Sequence, residues 1–251
     1  MLLILLCIHH VLCIERLHNP RIALVSYYDG FDIHEKENEG RRDHNQTVVR
    51  EMQKVCEANR RAYASMYNYM YVNPQKKASR WSKLLLNGKR FKLVMITKAL
   101  SHFDYILWLD GDVLFHTTQS IQEWILRMGD KEILVAEDIG GPYKFNSGVI
   151  LLRSTPKTIK FMSEVVTEVI KLPLSGLQDQ QAMQTVAFKK YRDILKIIKP
   201  RSALQAFAKL KEVKTHSWLV HFTCCNMKCG GKDIPSRFCD PNVYDFRKSL
   251  M

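Results

Sequence analysis

The sequence predicts an α/β protein: a largely parallel central sheet with helices packed against it. Short β-rich apolar runs alternate with stretches whose apolar residues recur at helical spacing. At 251 residues the chain is long enough for one large domain with a sizeable core. Low-complexity tracts and internal repeats are absent, which excludes a solenoid or extended disorder, and no linker divides the chain.

Arg21 to Tyr28 (RIALVSYY) is an apolar, β-rich run ending at the turn signal Asp29-Gly30, and reads as the first strand. Asp29 to Asn45 is polar and reads as a loop. Thr47 is placed to cap a helix in which Val48, Met52, Val55, Cys56, Asn59, Ala62, Tyr63 and Met66 recur at helical spacing. Tyr69 to Val72 suits a second strand, and Asn73 to Gly88, with Trp81 inside it, a loop. Lys92 to His102 fits a helix with Leu93, Ile96, Ala99 and Leu100 inward, and Asp104 to Leu109 (DYILWL) a buried strand. Thr118 is placed to cap a helix with Ile121, Trp124, Ile125 and Met128 on one face and Gly129 as its stop. Ile133 to Ala136 and Gly148 to Leu152 read as strands. Thr155-Pro156 opens a helix with Ile159, Met162, Val166 and Val169 inward, because proline suits the first helical turn. A further helix covers Asp179 to Phe188, and the last fifty residues read as irregular, cysteine-rich chain that wraps back over the site.

The formal net charge of +13 fits nucleic acid, anionic lipid or an anionic small substrate. The basic residues are dispersed in pairs such as Arg41-Arg42, Arg60-Arg61 and Lys189-Lys190, without a dense run, an RNA-binding aromatic motif or a helix-turn-helix pattern. Nucleic acid is therefore not an expected partner. Met1 to Ile14 (MLLILLCIHHVLCI) is too short to span a bilayer comfortably. Residues 1–18 read as a signal peptide or short membrane anchor, with weak membrane association through 1–14, and residues 19–251 as the folded domain. The tail of a longer anchor or a terminal strand are the other readings of that segment. Asn45-Gln46-Thr47 matches the N-glycosylation acceptor pattern. Cys224, Cys225, Cys229 and Cys239 suit disulfides in an oxidising compartment, and lack the two paired C-x-x-C units of a common zinc site. These features together predict the secretory pathway, in the Golgi lumen or membrane.

The chemistry centres on Asp110-Gly111-Asp112, directly after the hydrophobic strand. Ligands bind at the carboxyl edge of strands in open α/β sheets. Two hard carboxylates there suit Mn²⁺ or Mg²⁺, which clamps a diphosphate and offsets charge on a nucleotide leaving group. His221, in the apolar run Trp218 to Phe222, is either a core histidine or the imidazole that completes one face of the metal cage. Asn146-Ser147-Gly148 reads as a plain turn into the next strand or as a hydrogen-bonding edge for sugar hydroxyls. Asp179 reads as a helix N-cap or as a carboxylate that holds a hydroxyl or stabilises an oxocarbenium-like centre.

Several longer motifs follow in order. Asn59 to Tyr69 (NRRAYASMYNY) is similar to Asn-x-x-x-Tyr-Ala-x-x-His-Gly-Tyr, with Tyr67 and Asn68 in place of His and Gly. Lys92 to Leu100 is similar to a Lys-led helix before the acidic strand, and Trp108 to Asp112 to Trp-Leu-Asp-x-Asp. Asn146-Ser147-Gly148-Val149 with Arg153 is similar to Asn-x-Gly-Val…Ile-Arg-Asn, and Gln178 to Ala182 to Asp-Asp-Gln-Ser-Ala. His221-Phe222-Thr223-Cys224-Cys225…Cys229-Gly230-Gly231…Cys239 is similar to His-Phe-x-Gly-Cys-x-x-Cys-Gly with a later Cys. From about Arg21 to its end the chain thus resembles glycosyltransferase family 34, the yeast-type α-galactosyl- and α-mannosyltransferases with the plant xyloglucan xylosyltransferases.

That resemblance implies a GT-A fold with a Rossmann-like mixed sheet flanked by helices. It implies a hexosyl or pentosyl group moved from an NDP-sugar (UDP-galactose, UDP-xylose or GDP-mannose) to a glycan acceptor, with retention and with Mn²⁺ or Mg²⁺. It assigns the metal to Asp110, Asp112 and His221, and catalytic sugar contacts to Asp179 and Gln180. The donor-binding set expected on the same basis is Tyr27, Asn59, Tyr63, Lys92, Asp110, Asn146, Gly148 and Lys228. Three departures stand out: Gln178 replaces the first carboxylate of Asp-Asp-Gln, Cys224 replaces a glycine, and an extra residue lies between Cys225 and Cys229. They motivate the alternative of a catalytically weak sugar- or nucleotide-sugar-binding protein on the same fold.

Overall fold

The computed structural model describes residues 20–27, 44–73, 88–139, 143–173, 178–210, 212–222 and 240–249. The N-terminal segment 1–18, Trp81, Lys228 and the four cysteines from Cys224 to Cys239 lie outside the described residues. Among those described, no helix is long and apolar enough to cross a membrane.

The central strand β1 (Ile22–Tyr27) is buried along its whole length. Alternate side chains leave a strand on opposite faces, so a strand covered on both sides must be apolar throughout. Ala23 and Val25 point into one core layer, and Ile22 and Leu24 into the other. The strands β3 (Tyr105–Asp110), β5 (Ile133–Glu137) and β6 (Phe145–Arg153) divide in the same way: Trp108, Val135 and Ile150 on the first face, Leu109, Leu134 and Leu151 on the second. The first face is covered by α2 (Gly88–Leu100), α4 (Pro156–Lys171) and α5 (Gln178–Lys190). The second is covered by α1 (His44–Met66), α3 (Ile121–Met128) and a small second sheet.

The main sheet has the order β2-β1-β3-β6-β5-β7, with β2 spanning Met70–Val72 and β7 Leu195–Ile198. It is mixed rather than largely parallel: β2, β1 and β3 run together, β6 runs against both β3 and β5, and β7 is parallel to β5. The reversal follows from chain length. Only residues 138–144 connect β5 to β6, too few for the dozen or more that a parallel crossover needs. The second sheet has the order β4-β9-β8, formed by Val113–Phe115, Leu219–His221 and Gln205–Phe207. The C-terminal segment therefore does return to the acidic turn, but as a paired strand.

Local details follow short-range chemistry. Helix α3 is capped by Ser120, not Thr118. Ser120-Ile121-Gln122-Glu123 forms a reciprocal box in which the serine hydroxyl accepts from the Glu123 amide and the Glu123 carboxylate accepts from the Ser120 amide. Thr118 instead offers its carbonyl to the Tyr67 hydroxyl. Gly129 ends the helix at φ 67°, a conformation that favours glycine. Helix α4 starts at Pro156 behind a Thr155 cap, as expected, but its buried face is Thr158, Phe161, Met162, Val165 and Val169, and Ile159 is exposed. Helix α1 begins at His44, ahead of Thr47, so the glycosylation pattern at Asn45 falls on helical backbone.

Candidate active site

Strand β3 ends at Asp110 in the main sheet, and β4 begins at Val113 in the second. The Asp110-Gly111-Asp112 turn is thus the joint between the two sheets. Asp110 Oδ1 accepts from the Trp108 indole at 2.7 Å and from Lys92 Nζ at 3.0 Å, and among the described residues nothing bonds Oδ2. Strand β9 lies antiparallel to β4 with His221 opposite Val113, and the Phe222 amide donates to the Asp112 carbonyl at 3.0 Å. This pairing sets His221 Nε2 at 3.2 Å from Asp112 Oδ1. One ligand atom each from Asp110, Asp112 and His221 lies within 4.8 Å of the others, close enough for a single cation to gather them. Two carboxylate oxygens and an imidazole nitrogen fit Mn²⁺ or Mg²⁺ better than a soft metal.

A bulge in β6 supplies the neighbouring wall. Val135 pairs with Ile150, but the next residue, Ala136, pairs with Asn146. Residues 147–149 have no partner in β5, although Val149 still pairs with Leu109 of β3, and such irregularities recur near active sites. Gly148 then lies so close to His221 that a Cβ built on it would stand 2.4 Å from His221 Cε1. Asn146 Oδ1 accepts from the Gly148 amide at 2.8 Å and from Gln205 Nε2 at 2.9 Å. Ser147 ties the bulge to α5: its amide donates to Gln180 Oε1 at 3.0 Å and its hydroxyl to Asp179 Oδ2 at 2.9 Å.

The structure therefore brings Asp110, Asp112, Asn146, Gly148, Asp179, Gln180 and His221 to one edge. Tyr27 ends β1 opposite Asp110 in the ladder, with its ring against Phe91 at 4.5 Å between centroids. Three residues expected to contact the donor have their polar groups engaged within the protein. Asn59 is fully buried and uses its amide on the backbone of Phe115 and on Asp245. Tyr63 is fully buried against Phe115, with centroids 3.5 Å apart, and its hydroxyl donates to the Gln119 carbonyl. Both brace β4 through Phe115. Lys92 is also buried: Asp110 Oδ1, Asp179 Oδ2 at 2.9 Å, and the carbonyl and hydroxyl of Ser147 surround its three protons. Its three protons are taken up within the protein, and it links Asp110 to Asp179.

The electrostatics follow from these contacts. Burial opposes ionisation of Asp179, but Lys92 and the Ser147 hydroxyl outweigh it and hold the carboxyl below the usual range. Burial likewise opposes the charge on Asp112, and the neighbouring His221 overcomes it, so this carboxyl is also more acidic than usual. Lys92 and His221 move the other way: burial disfavours their cations, but Asp110 and Asp179 raise the first and Asp112 raises the second.

Two supporting residues escaped the sequence reading. Arg60 is buried, and its NH1 donates to the carbonyls of Asp110, Gly111 and Val113 at 3.2, 3.0 and 2.7 Å, pinning the acidic turn to α1. A charged residue one turn after Cys56, on the inward stripe of a helix, was the available signal. Gln205 is buried on β8 behind His221, and a lone amide in a short apolar run gives no such signal.

A mixed sheet with helices on both faces is the GT-A arrangement, and solved structures share this fold. A glycosyltransferase involved in glycosylation of the major capsid of PBCV-1 superposes with a TM-score of 0.59 at 16% identity, covering 81% of this chain and 95% of that one. The glycosyltransferase GlyE of Streptococcus pneumoniae TIGR4 gives 0.53 at 12% identity, covering 92% of this chain and 60% of that one. No curated protein sequence matches. The model of the nucleotide-diphospho-sugar transferase family matches residues 50–233, a span that includes Asp110, Asp112, Asn146, Asp179 and His221. The chain belongs to that family and is a glycosyltransferase.

Proposed function

We propose that the protein is a retaining, metal-dependent transferase of the family-34 type, moving a hexosyl or pentosyl group from a UDP- or GDP-sugar to a glycan acceptor. The observation that carries this reading is the Asp110/Asp112/His221 cluster with Asp179 one lysine away. A Mn²⁺ or Mg²⁺ ion held by those three residues would supply positive charge to the departing diphosphate. Lys92 and Ser147 hold Asp179 in place and keep it ionised, which suits a carboxylate that stabilises positive charge at the anomeric carbon.

Retention is favoured by what these acids do. An inverting enzyme needs a general base, and a carboxyl held below its usual range is a weak one. Asp138 spends Oδ2 on Gln180 and Oδ1 on the Ile139 amide. The acceptor hydroxyl would then attack from the face the diphosphate leaves, passing its proton to a departing phosphate oxygen. The hydrophobic N-terminal run and the glycosylation pattern support work in the secretory pathway.

The test is a thermal-shift and hydrolysis screen of UDP- and GDP-sugars with and without Mn²⁺. We expect one donor class to bind and turn over only with metal, and Asp112→Asn to abolish both. Absence of metal-dependent donor binding for every donor tried refutes the proposal. Donor binding without transfer or hydrolysis favours a sugar-binding protein.

A further inference from the structure

The imidazole of His221 has two nitrogens, and each is engaged. Nε2 faces Asp112 Oδ1 at 3.2 Å, on the side of the carboxylate pair. Nδ1 lies 2.9 Å from Gln205 Nε2, the same amide nitrogen that reaches Asn146 Oδ1 at 2.9 Å. Gln205 is fully buried, and among the described residues its Oε1 meets no donor. A buried amide oxygen without a partner is costly unless another state of the protein uses it.

With the amide nitrogen turned toward Nδ1, a neutral ring carries its proton on Nε2, toward Asp112. A cation between the carboxylates needs the Nε2 lone pair. The proton must then sit on Nδ1, where it requires an acceptor. Gln205 is the side chain at that nitrogen, and it carries the unspent acceptor.

We propose that Gln205 is a positioning residue that selects the tautomer of His221. Its carboxamide lies at Nδ1, and a half-turn presents Oε1 to Nδ1–H when Nε2 ligates a divalent cation. The half-turn gives up the bond to Asn146 Oδ1, which keeps the Gly148 amide as its donor. This inference rests on the metal site proposed above.

The experiment uses the full chain and Mn²⁺ alone, without donor, titrated by calorimetry or by electron paramagnetic resonance. Gln205→Met keeps the size and removes both hydrogen-bonding groups, and its Mn²⁺ binding is expected to weaken by about 10–100-fold. Gln205→Glu restores an acceptor at Nδ1 and is expected to stay within about threefold of the parent. In ¹⁵N-histidine spectra of the parent, the proton on His221 should move from Nε2 to Nδ1 on loading with diamagnetic Mg²⁺. That spectrum decides the matter even if Gln205→Met fails to fold. Equal Mn²⁺ affinity for parent and Gln205→Met, or a proton that stays on Nε2 in the loaded parent, overturns the role of Gln205 and leaves the metal site standing. A parent that binds no Mn²⁺ overturns both.

Discussion

Gly148→Ala isolates the proposed metal site from the rest of the fold. The added methyl would stand 2.4 Å from His221 Cε1 and 2.9 Å from both His221 Nδ1 and Asn146 Oδ1. Carbon atoms pack at about 3.5–4.0 Å, so the ring must retreat by roughly 1 Å or more. Phe207, beside His221 on the neighbouring strand, packs edge-on against the ring with centroids 5.4 Å apart and limits its freedom to move. A metal–ligand distance tolerates only about 0.2 Å, and the displaced imidazole loses its place in the coordination sphere. Overpacking of this kind costs about 1–3 kcal/mol, which at ~1.4 kcal/mol per decade is a loss of about 5- to 150-fold in Mn²⁺ affinity. Gly148 does not have the positive φ that Gly129 has, so alanine adds no backbone strain. Calorimetric Mn²⁺ titration and urea unfolding of parent and variant separate the two effects. A folded variant that binds Mn²⁺ as tightly as the parent would refute the reasoning.

Arg60→Met leaves the carbonyls of Asp110, Gly111 and Val113 without their buried donor; urea unfolding should show a loss of about 2–3 kcal/mol, with weaker Mn²⁺ binding. Lys92→Met strands Asp179 and Asp110 beside each other without a cation; breaking such a buried pair costs about 3–5 kcal/mol, and stability should recover in part under acid, where a carboxyl takes up a proton. Asp179 is more acidic folded than unfolded. Its contribution to stability is therefore whole above the unfolded carboxylate pKa of about 3.9 and lost as pH falls through the lower folded value, which urea unfolding of parent and Asp179→Asn across that window will resolve.

What the sequence made legible was local. The acidic turn announced itself because a fully buried strand is a continuous apolar run, and that run stops at Asp110. The Thr155-Pro156 start of α4 and the Gly129 stop of α3 were visible because caps involve neighbouring residues. Long-range pairing was not legible. Strands β4, β8 and β9 have three residues each, too few to display an alternation, and β4 finds β9 more than a hundred positions later. The internal partners of three expected donor residues were illegible for the same reason. Asn59, Tyr63 and Lys92 sit in the right motifs, but their partners Asp245, Phe115 and Asp179 arrive from distant segments and use up their polar groups.

Charge balance at the edge leads to a last prediction, on the order of binding. Among the described residues, with His221 neutral, the carboxylates of Asp110, Asp112 and Asp179 outnumber the cations Lys92 and Arg60, and Asp138 beside Gln180 adds to the negative side. A diphosphate approaching that edge is repelled. A bound divalent cation offsets this charge at the turn itself, and the same diphosphate gains a direct counter-charge. The donor should therefore bind only after the metal, and its affinity should fall steeply as ionic strength screens the exposed side of the site. Titration of the nucleotide diphosphate with Mg²⁺ present or chelated checks the order. Protein that takes up the nucleotide equally well in chelator would mean that some other basic group meets the phosphates, and that the acidic turn is not what holds them.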